Sequence, residues 1–260
     1  MGKMDDNFNP AVVIGMGQLG RVFAGALLAA GTGVLPVLRG TDMAAVAERF
    51  PRPPLVLVAT GEDDLHPVLE RLPTPWRERV ALLQNELLPR DWQRHSIRLP
   101  TVVPVWFEKK AGTDVKPLLP SPVHGPAAEL LLRALGAVGI PARALDSEEA
   151  LTFELVLKNV YILTTNIAGM RVGGNTGELW ERHRELAEAV MDEVIAIQEG
   201  LTGGRFARAA LLQGLQAALL ADPLHGCMGR SAPVRLRRAL AHAERLGIAV
   251  PTLREIADQG

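Results

Sequence analysis

The chain is 260 residues long and 48% apolar, enough for two domains with substantial cores. Its 28 basic and 29 acidic side chains leave a formal charge of -1, and aromatic residues make up only 4%, which argues against a nucleic-acid or anionic-membrane surface. Cys227 is the one cysteine, so no intrachain disulfide can form and a reducing, cytoplasmic setting is expected.

In chain order, Met1–Pro10 is polar and acidic, without the basic start and apolar run of a signal peptide. Ala11-Val12-Val13-Ile14 is a β-branched run too short for a helix and suited to a buried central strand. A helix follows from Gln18 to Ala30, stopped by Gly31 and Gly33. These glycines and Pro36 also interrupt the apolar stretch Val22–Leu38, which excludes a membrane span there. Val34–Leu38 is the second strand and Met43–Phe50 a short helix. Leu55–Ala59 is a third, strongly apolar strand. A helix over Asp64–Leu72 leads to the strand Val80–Leu83, with strand-like pieces near Thr101–Phe107 and Val115–Leu119. Proline cannot donate to a sheet ladder, and the interval between Leu38 and Leu55 holds no good strand candidate. The strand that usually lies outside the second strand of a Rossmann sheet is therefore expected to be missing, leaving Pro36 on an edge.

From Leu145 onward glycine and proline punctuation thins and helical periodicity takes over. Helices are expected over Glu149–Ile167, Glu178–Glu199, Phe206–Ala221 and Pro233–Leu246. The fold class is thus α/β: a Rossmann-like, mostly parallel sheet in residues 1–147, followed by an all-helical domain in residues 148–260 for substrate and dimerisation.

Gly15-Met16-Gly17-Gln18-Leu19-Gly20 joins the first strand to the first helix. The first glycine permits the tight turn, the second lets a pyrophosphate approach the backbone, and the third lets helix and strand pack closely. The free amides at the helix start then receive the phosphates. NAD-preferring folds place an acidic residue after the second strand, whereas here Arg39 offers a planar fork to the 2′-phosphate of NADP. Asp42 nearby keeps NAD open. A surface arginine and an ordinary strand–helix turn are the plainer readings of the same residues.

These motifs are joined by Leu83-Gln84-Asn85, by Glu154-Leu155-Val156-Leu157-Lys158-Asn159 in a long helix, and by Thr176-Gly177-Glu178-Leu179. Together they resemble the ketopantoate reductase (2-dehydropantoate 2-reductase) family of the 6-phosphogluconate dehydrogenase-like group. The resemblance implies NADPH-dependent reduction of a 2-keto acid. It makes Lys158 the proton donor, sets Asn85 near the nicotinamide ribose and substrate, and gives Asn166 a hydrogen bond to substrate. The implied cofactor set is Gly15, Met16, Gly17, Gln18, Leu19, Gly20, Arg39, Thr60 and Asn85. The implied substrate set is Asn166, Thr176, Arg230 and Ser231. Burial lowers a lysine pKa toward neutrality, which suits it to donate a proton. Glu154, Lys158, Ile162 and Asn166 recur every fourth residue, so they form one slowly drifting helix stripe that can line a cleft. A solvated Glu154–Lys158 ion pair is the alternative.

The departures are specific. Ile162 stands where the family has asparagine, and Thr176 opens the element that begins with asparagine there. Arg230-Ser231-Ala232-Pro233 occupies the stretch where the family carries a substrate-engaging glutamate. Thr60-Gly61-Glu62-Asp63-Asp64 lacks the family's lysine after this strand. A pocket so altered disfavours ketopantoate.

Leu224-His225-Gly226-Cys227-Met228-Gly229 offers a cysteine and a histidine but no third partner and no metal-ligand spacing. Arg230 beside it either anchors a substrate carboxylate or phosphate or is a surface residue at a helix start. Pro104–Lys110 reads as a cleft wall, a subunit contact fitting a homodimer, or a plain strand end. Trp180–Arg184 reads as a solvated helix face. The leading expectation is a reductase of a small polar carbonyl using NADP(H). A noncatalytic NADP(H)-binding sensor and an oligomeric scaffold are the alternatives.

Overall fold

The computed structural model describes residues 9–259, so the reading of Met1–Pro10 lies almost wholly outside the described residues. Contacts divide the chain into two compact units, Met1–Thr152 and Phe153–Gly260.

In the first unit, β1 (Ala11–Ile14) is buried along its whole length and leads into α1 (Gln18–Ala29). There follow β2 (Val34–Val37), α2 (Met43–Arg49), β3 (Val56–Val58), α3 (Leu65–Glu70), β4 (Val80–Leu82), α4 (Pro89–Gln93) and β5 (Thr101–Val102). The five strands form one parallel sheet in the order β2-β1-β3-β4-β5. Strand β2 is an edge, and among the described residues no strand lies outside it. Ala11 N–H donates to Gly33 O and Gly15 N–H to Val37 O. The odd-numbered residues of β2 therefore face β1, and the Pro36 nitrogen points outward, where no ladder bond is lost.

The stretch expected as a strand from Thr101 to Phe107 breaks after Val102. Pro104 intervenes, and β6 (Phe107–Glu108) pairs antiparallel with β7 (Lys116–Pro117) as a separate ribbon. Val105, Trp106 and Phe107 are buried, so this segment is core and not a subunit contact. Helix α4 was not anticipated, nor were β8 (Ser121–Val123), α5 (Ala128–Ala137) and β9 (Ala142–Ala144), with β8 and β9 parallel. Helix α5 packs on α1, and Phe23, Ala26, Leu27, Leu131, Ala134 and Leu135 share one core with the apolar sheet residues. Gly125, Pro126, Gly136, Gly139 and Pro141 hide this helix in the sequence.

The second unit is helical. Its first helix, α6 (Glu148–Val172), begins before the division between the units, and is followed by α7 (Thr176–Arg182), α8 (Arg184–Thr202), α9 (Arg208–Ala221), α10 (Ala232–Leu246) and α11 (Pro251–Gln259). The single helix expected over Glu178–Glu199 is two, broken at His183 (φ -130°, ψ 31°). Of the expected solvated face Trp180–Arg184, residues Glu181 to Arg184 are exposed, but Trp180 is buried, with the Arg184 guanidinium 4.5 Å from its ring centroid. Helix α8 packs against α7, α9, α10 and α11. Helix α6 is buried on every side from Glu154 to Gly169, Lys158 alone being partly exposed, as befits a central helix. Its buried Asn159 donates from Nδ2 to Oε1 of buried Gln198 on α8 at 2.9 Å. Among the described residues no helix is long and apolar enough to cross a membrane.

Candidate functional site

In the first unit the candidate residues gather at the carboxyl ends of the parallel strands. The chain leaves β1 toward β2 on one side and returns to β3 on the other, so the end of β1 is the topological switch point where open α/β sheets bind ligands. Gly15 sits there at φ +92°, and a Cβ on it would lie 3.0 Å from Ala59 O. A Cβ on Gly20 would lie 2.0 Å from Gly15 O, so only glycine lets α1 start this close to the strand. At Gly17 a Cβ would meet nothing within 4 Å. That residue caps α1 with no side-chain hydrogen bond, so the first-turn amides face an open cradle made of backbone. Arg21 Nε donates to Met16 O at 3.1 Å and braces the loop.

Arg39 lies at the tip of a tight turn beyond β2, where Leu38 N–H donates to Thr41 Oγ1 and Thr41 N–H to Leu38 O. Its side chain is 96% exposed and only 3.9 Å from Asp64, a surface contact worth about 0–1 kcal/mol. It is thus a weakly held fork. Asp42 is engaged elsewhere: its Oδ1 accepts from Ala44 and Ala45 N–H at 2.9 and 3.3 Å as the cap of α2.

Thr60 lies two residues past β3 beside Gly15, and its buried Oγ1 has no hydrogen-bond partner among the described residues. Asn85 is exposed beyond β4. Between them works a residue the sequence reading quoted without assigning a role. Gln84, 8% exposed, accepts from Leu83 N–H at 3.1 Å and donates from Nε2 to Val58 O at 2.7 Å and Thr60 O at 3.3 Å. It clamps the ends of β3 and β4, and a glutamine at the end of an apolar strand was its signal.

In the helical unit Lys158 is partly buried, with Nζ 5.5 Å from the Tyr161 ring centroid. Glu154 is 9% exposed, so its side chain does not lie on a solvated face. Ile162 is buried on the same stripe. Asn166, 8% exposed, accepts from Arg235 Nη1 at 3.0 Å. Arg235 was missed because the pairing joins residues 69 apart in sequence. Arg230 and Ser231, proposed from sequence for that role, are both exposed.

Thr176 is a correction. It is 0% exposed, and its hydroxyl lies 3.1 Å from Leu219 O and 2.6 Å from Asp222 O. It ties α7 to the end of α9 and offers nothing to a ligand. The preceding Asn175 and Glu178 form a reciprocal capping box on α7. Cys227 is 1% exposed, and burial, with a smaller push from Glu178, raises its thiol to about 11. That is the environment of an inert thiol.

No family model and no curated protein matches the sequence. Among solved structures, 2-dehydropantoate 2-reductase from Geobacter metallireducens GS-15 superposes with a TM-score of 0.67 at 18% identity, over 96% of this chain and 99% of that one. A dimeric ketopantoate reductase from Staphylococcus aureus gives 0.65 at 13%, over 96% of each chain. D-mandelate dehydrogenase in complex with NADH gives 0.66 at 15%, again over 96% of each. From strand β1 to helix α11, the chain has the ketopantoate reductase fold.

Proposed function

We propose that the chain is a divergent member of the ketopantoate reductase family, an oxidoreductase that prefers NADP(H) to NAD(H) and reduces a small polar carbonyl other than ketopantoate. The observation carrying this is the glycine cradle at the switch point, open at Gly17 and flanked by the exposed fork of Arg39. The unpartnered Oγ1 of Thr60 beside that cradle supports the fit. Asp42, the acidic group that would favour NAD, already caps α2.

When bound, the reduced nicotinamide supplies hydride. The amides from Gly17 to Gly20 would hold the pyrophosphate, and Arg39 would pair with the 2′-phosphate. Asn85 orients the reacting end from beyond β4. Lys158 passes a proton from its ammonium to the alkoxide oxygen as that charge develops, stabilising it in the transition state. Buried Ile162 and short Ser231 stand where ketopantoate reductases carry polar or acidic groups, which disfavours ketopantoate. The single cysteine supports a reducing cytoplasmic setting, and the dimeric relative of the same fold supports a homodimer.

Fluorescence titration with NADPH and NADH, followed by a carbonyl panel read by NADPH absorbance, tests this reading. NADPH should bind more tightly than NADH, and Arg39→Ala should shrink that gap by on the order of tenfold. Equal affinities untouched by the substitution would remove the NADP assignment. Tight binding with no turnover of any carbonyl would instead favour a noncatalytic sensor.

A further inference from the structure

Helix α10 carries a polar stripe. Ser231, at its N-cap, and Arg235, Arg238 and His242 follow at intervals of four, three and four residues, which keeps them on one helix face. Arg235, Arg238 and His242 are each only partly exposed, whereas Arg237 between them is exposed. Arg235 reaches α6, where its Nη1 donates to Asn166 Oδ1 at 3.0 Å. Nδ2 of that amide donates to Thr165 Oγ1 at 3.4 Å. Both ends of the Asn166 side chain are therefore engaged, and the amide holds the guanidinium at a defined place.

Lys158 lies eight residues before Asn166 on the same helix, a rise of about 12 Å. Long helical side chains lean toward the N-terminus, which carries the lysine ammonium further from that amide. The two cations thus mark two separated points of one stripe. A guanidinium partly withdrawn from water, with its planar fork of donors, matches the geometry of an oxyanion. In the stretch where the resembling family carries a glutamate, this chain has Ser231, with Arg235 one turn further on.

We infer that Arg235, positioned by Asn166, is a specificity-determining residue that selects a carbonyl substrate bearing an oxyanion, carboxylate or phosphate, several bonds from the reacting carbonyl. This rests on the reading above that Lys158 marks the reacting end. Arg230, exposed in the preceding loop, has no part in it.

The test is calorimetric titration of the full chain saturated with NADP+, using three probes of matched length. These are 2-oxoglutarate, 2-oxo-4-phosphonobutanoate, and 2-oxopentanoate, which lacks the distal acid. The first or second should bind tighter than the third by on the order of tenfold or more, and whichever binds tighter identifies the acid group. Arg235→Met should erase the preference, Arg235→Lys should keep part of it, and Asn166→Ala should weaken it. A merely structural contact between α6 and α10 would alter the unfolding temperature without changing the ratio between probes. Equal binding of all three, binding of none, or a preference surviving in a folded Arg235→Met would overturn the inference. Should Arg235→Met not fold, an undiminished preference in Arg235→Lys does the same. Failure of NADP+ to bind is a separate result that strikes the proposed function. The same titrations on the cofactor-free chain then decide whether Arg235 is an oxyanion site in its own right.

Discussion

The two units build their candidate residues in opposite ways. In the sheet unit the cradle is six consecutive residues, Gly15 to Gly20, and its partners lie two or three residues past strand ends: Arg39 after β2, Thr60 after β3 and Asn85 after β4. The ligand-facing chemistry is backbone, so the side chains mainly have to be absent. In the helical unit the polar groups are side chains held by contacts between distant helices, as Asn166 is by Arg235 and Thr176 is by the end of α9. Cofactor affinity should therefore depend on steric space in one unit, and turnover on placed side chains in the other.

The largest expected effect separates the two. Lys158→Ala should lower kcat by on the order of a hundredfold or more, the usual contribution of a positioned proton donor, while NADPH affinity stays within a factor of about two. Steady-state kinetics beside fluorescence titration measures both. Turnover that survives within about twofold removes Lys158 as the donor.

Next come two alanines in the same loop with different outcomes. Gly20→Ala puts a Cβ 2.0 Å from Gly15 O, which is backbone and cannot swing away. It should cost about 1–3 kcal/mol or more of stability and weaken NADPH binding with it. Gly17→Ala meets no protein atom within 4 Å, so the unfolding temperature should hold while NADPH affinity falls. Thermal unfolding with and without cofactor distinguishes them. A Gly17→Ala protein that binds NADPH as wild type does would show that no pyrophosphate approaches there.

The same contrast explains what was legible in the sequence. Strand β1, the glycine loop and the edge position of Pro36 are local rules written within a few residues of where they act. Helix α11 was missed because its start is fixed by a distant residue. The Thr252 and Leu253 N–H groups donate to the Glu193 carboxylate on α8 at 2.8 and 2.9 Å. Helix α5 was missed because its flanking glycines and prolines read as loop. Arg235 was not singled out because its partner Asn166 lies 69 residues away, and a sequence does not say which residue of a helix points inward. The Thr176 reading failed for a related reason: motif position gives neighbourhood, while orientation is set by the tertiary contact.

Thr176→Val sharpens that last point. The substitution keeps the shape and removes the hydroxyl facing Leu219 O and Asp222 O. A lost buried hydrogen bond costs about 1–3 kcal/mol, so the urea midpoint should drop while KM for substrate holds. A raised KM with unchanged stability would restore Thr176 to the substrate pocket.

The smallest expected effect is a pH dependence confined to the sheet unit. His66 of α3 and His95, just past α4, stack with ring centroids 5.2 Å apart, and His66 Nδ1 lies 3.0 Å from His95 Nε2. Arg94 Nε donates to that same Nε2 at 3.4 Å. Nε2 of His95 is then an acceptor, which requires a neutral ring, and His66 supplies the proton between them. Burial lowers both histidine pKa values below 6.5, and Arg94 lowers them further, against the opposing pull of Asp91 and Glu70. His95 and Arg77 add a smaller lowering to His66 and His95 respectively. A depressed histidine pKa means that the unfolded chain takes up the proton first as pH falls. The stabilising contribution is therefore complete above the unfolded value of 6.5 and is lost as pH drops toward the folded values. Urea midpoints measured on either side of that window should fall on acidification, and the fall should be smaller in His95→Gln, which keeps an acceptor but cannot charge. An equal fall in wild type and variant would assign the acid sensitivity to groups other than this histidine pair.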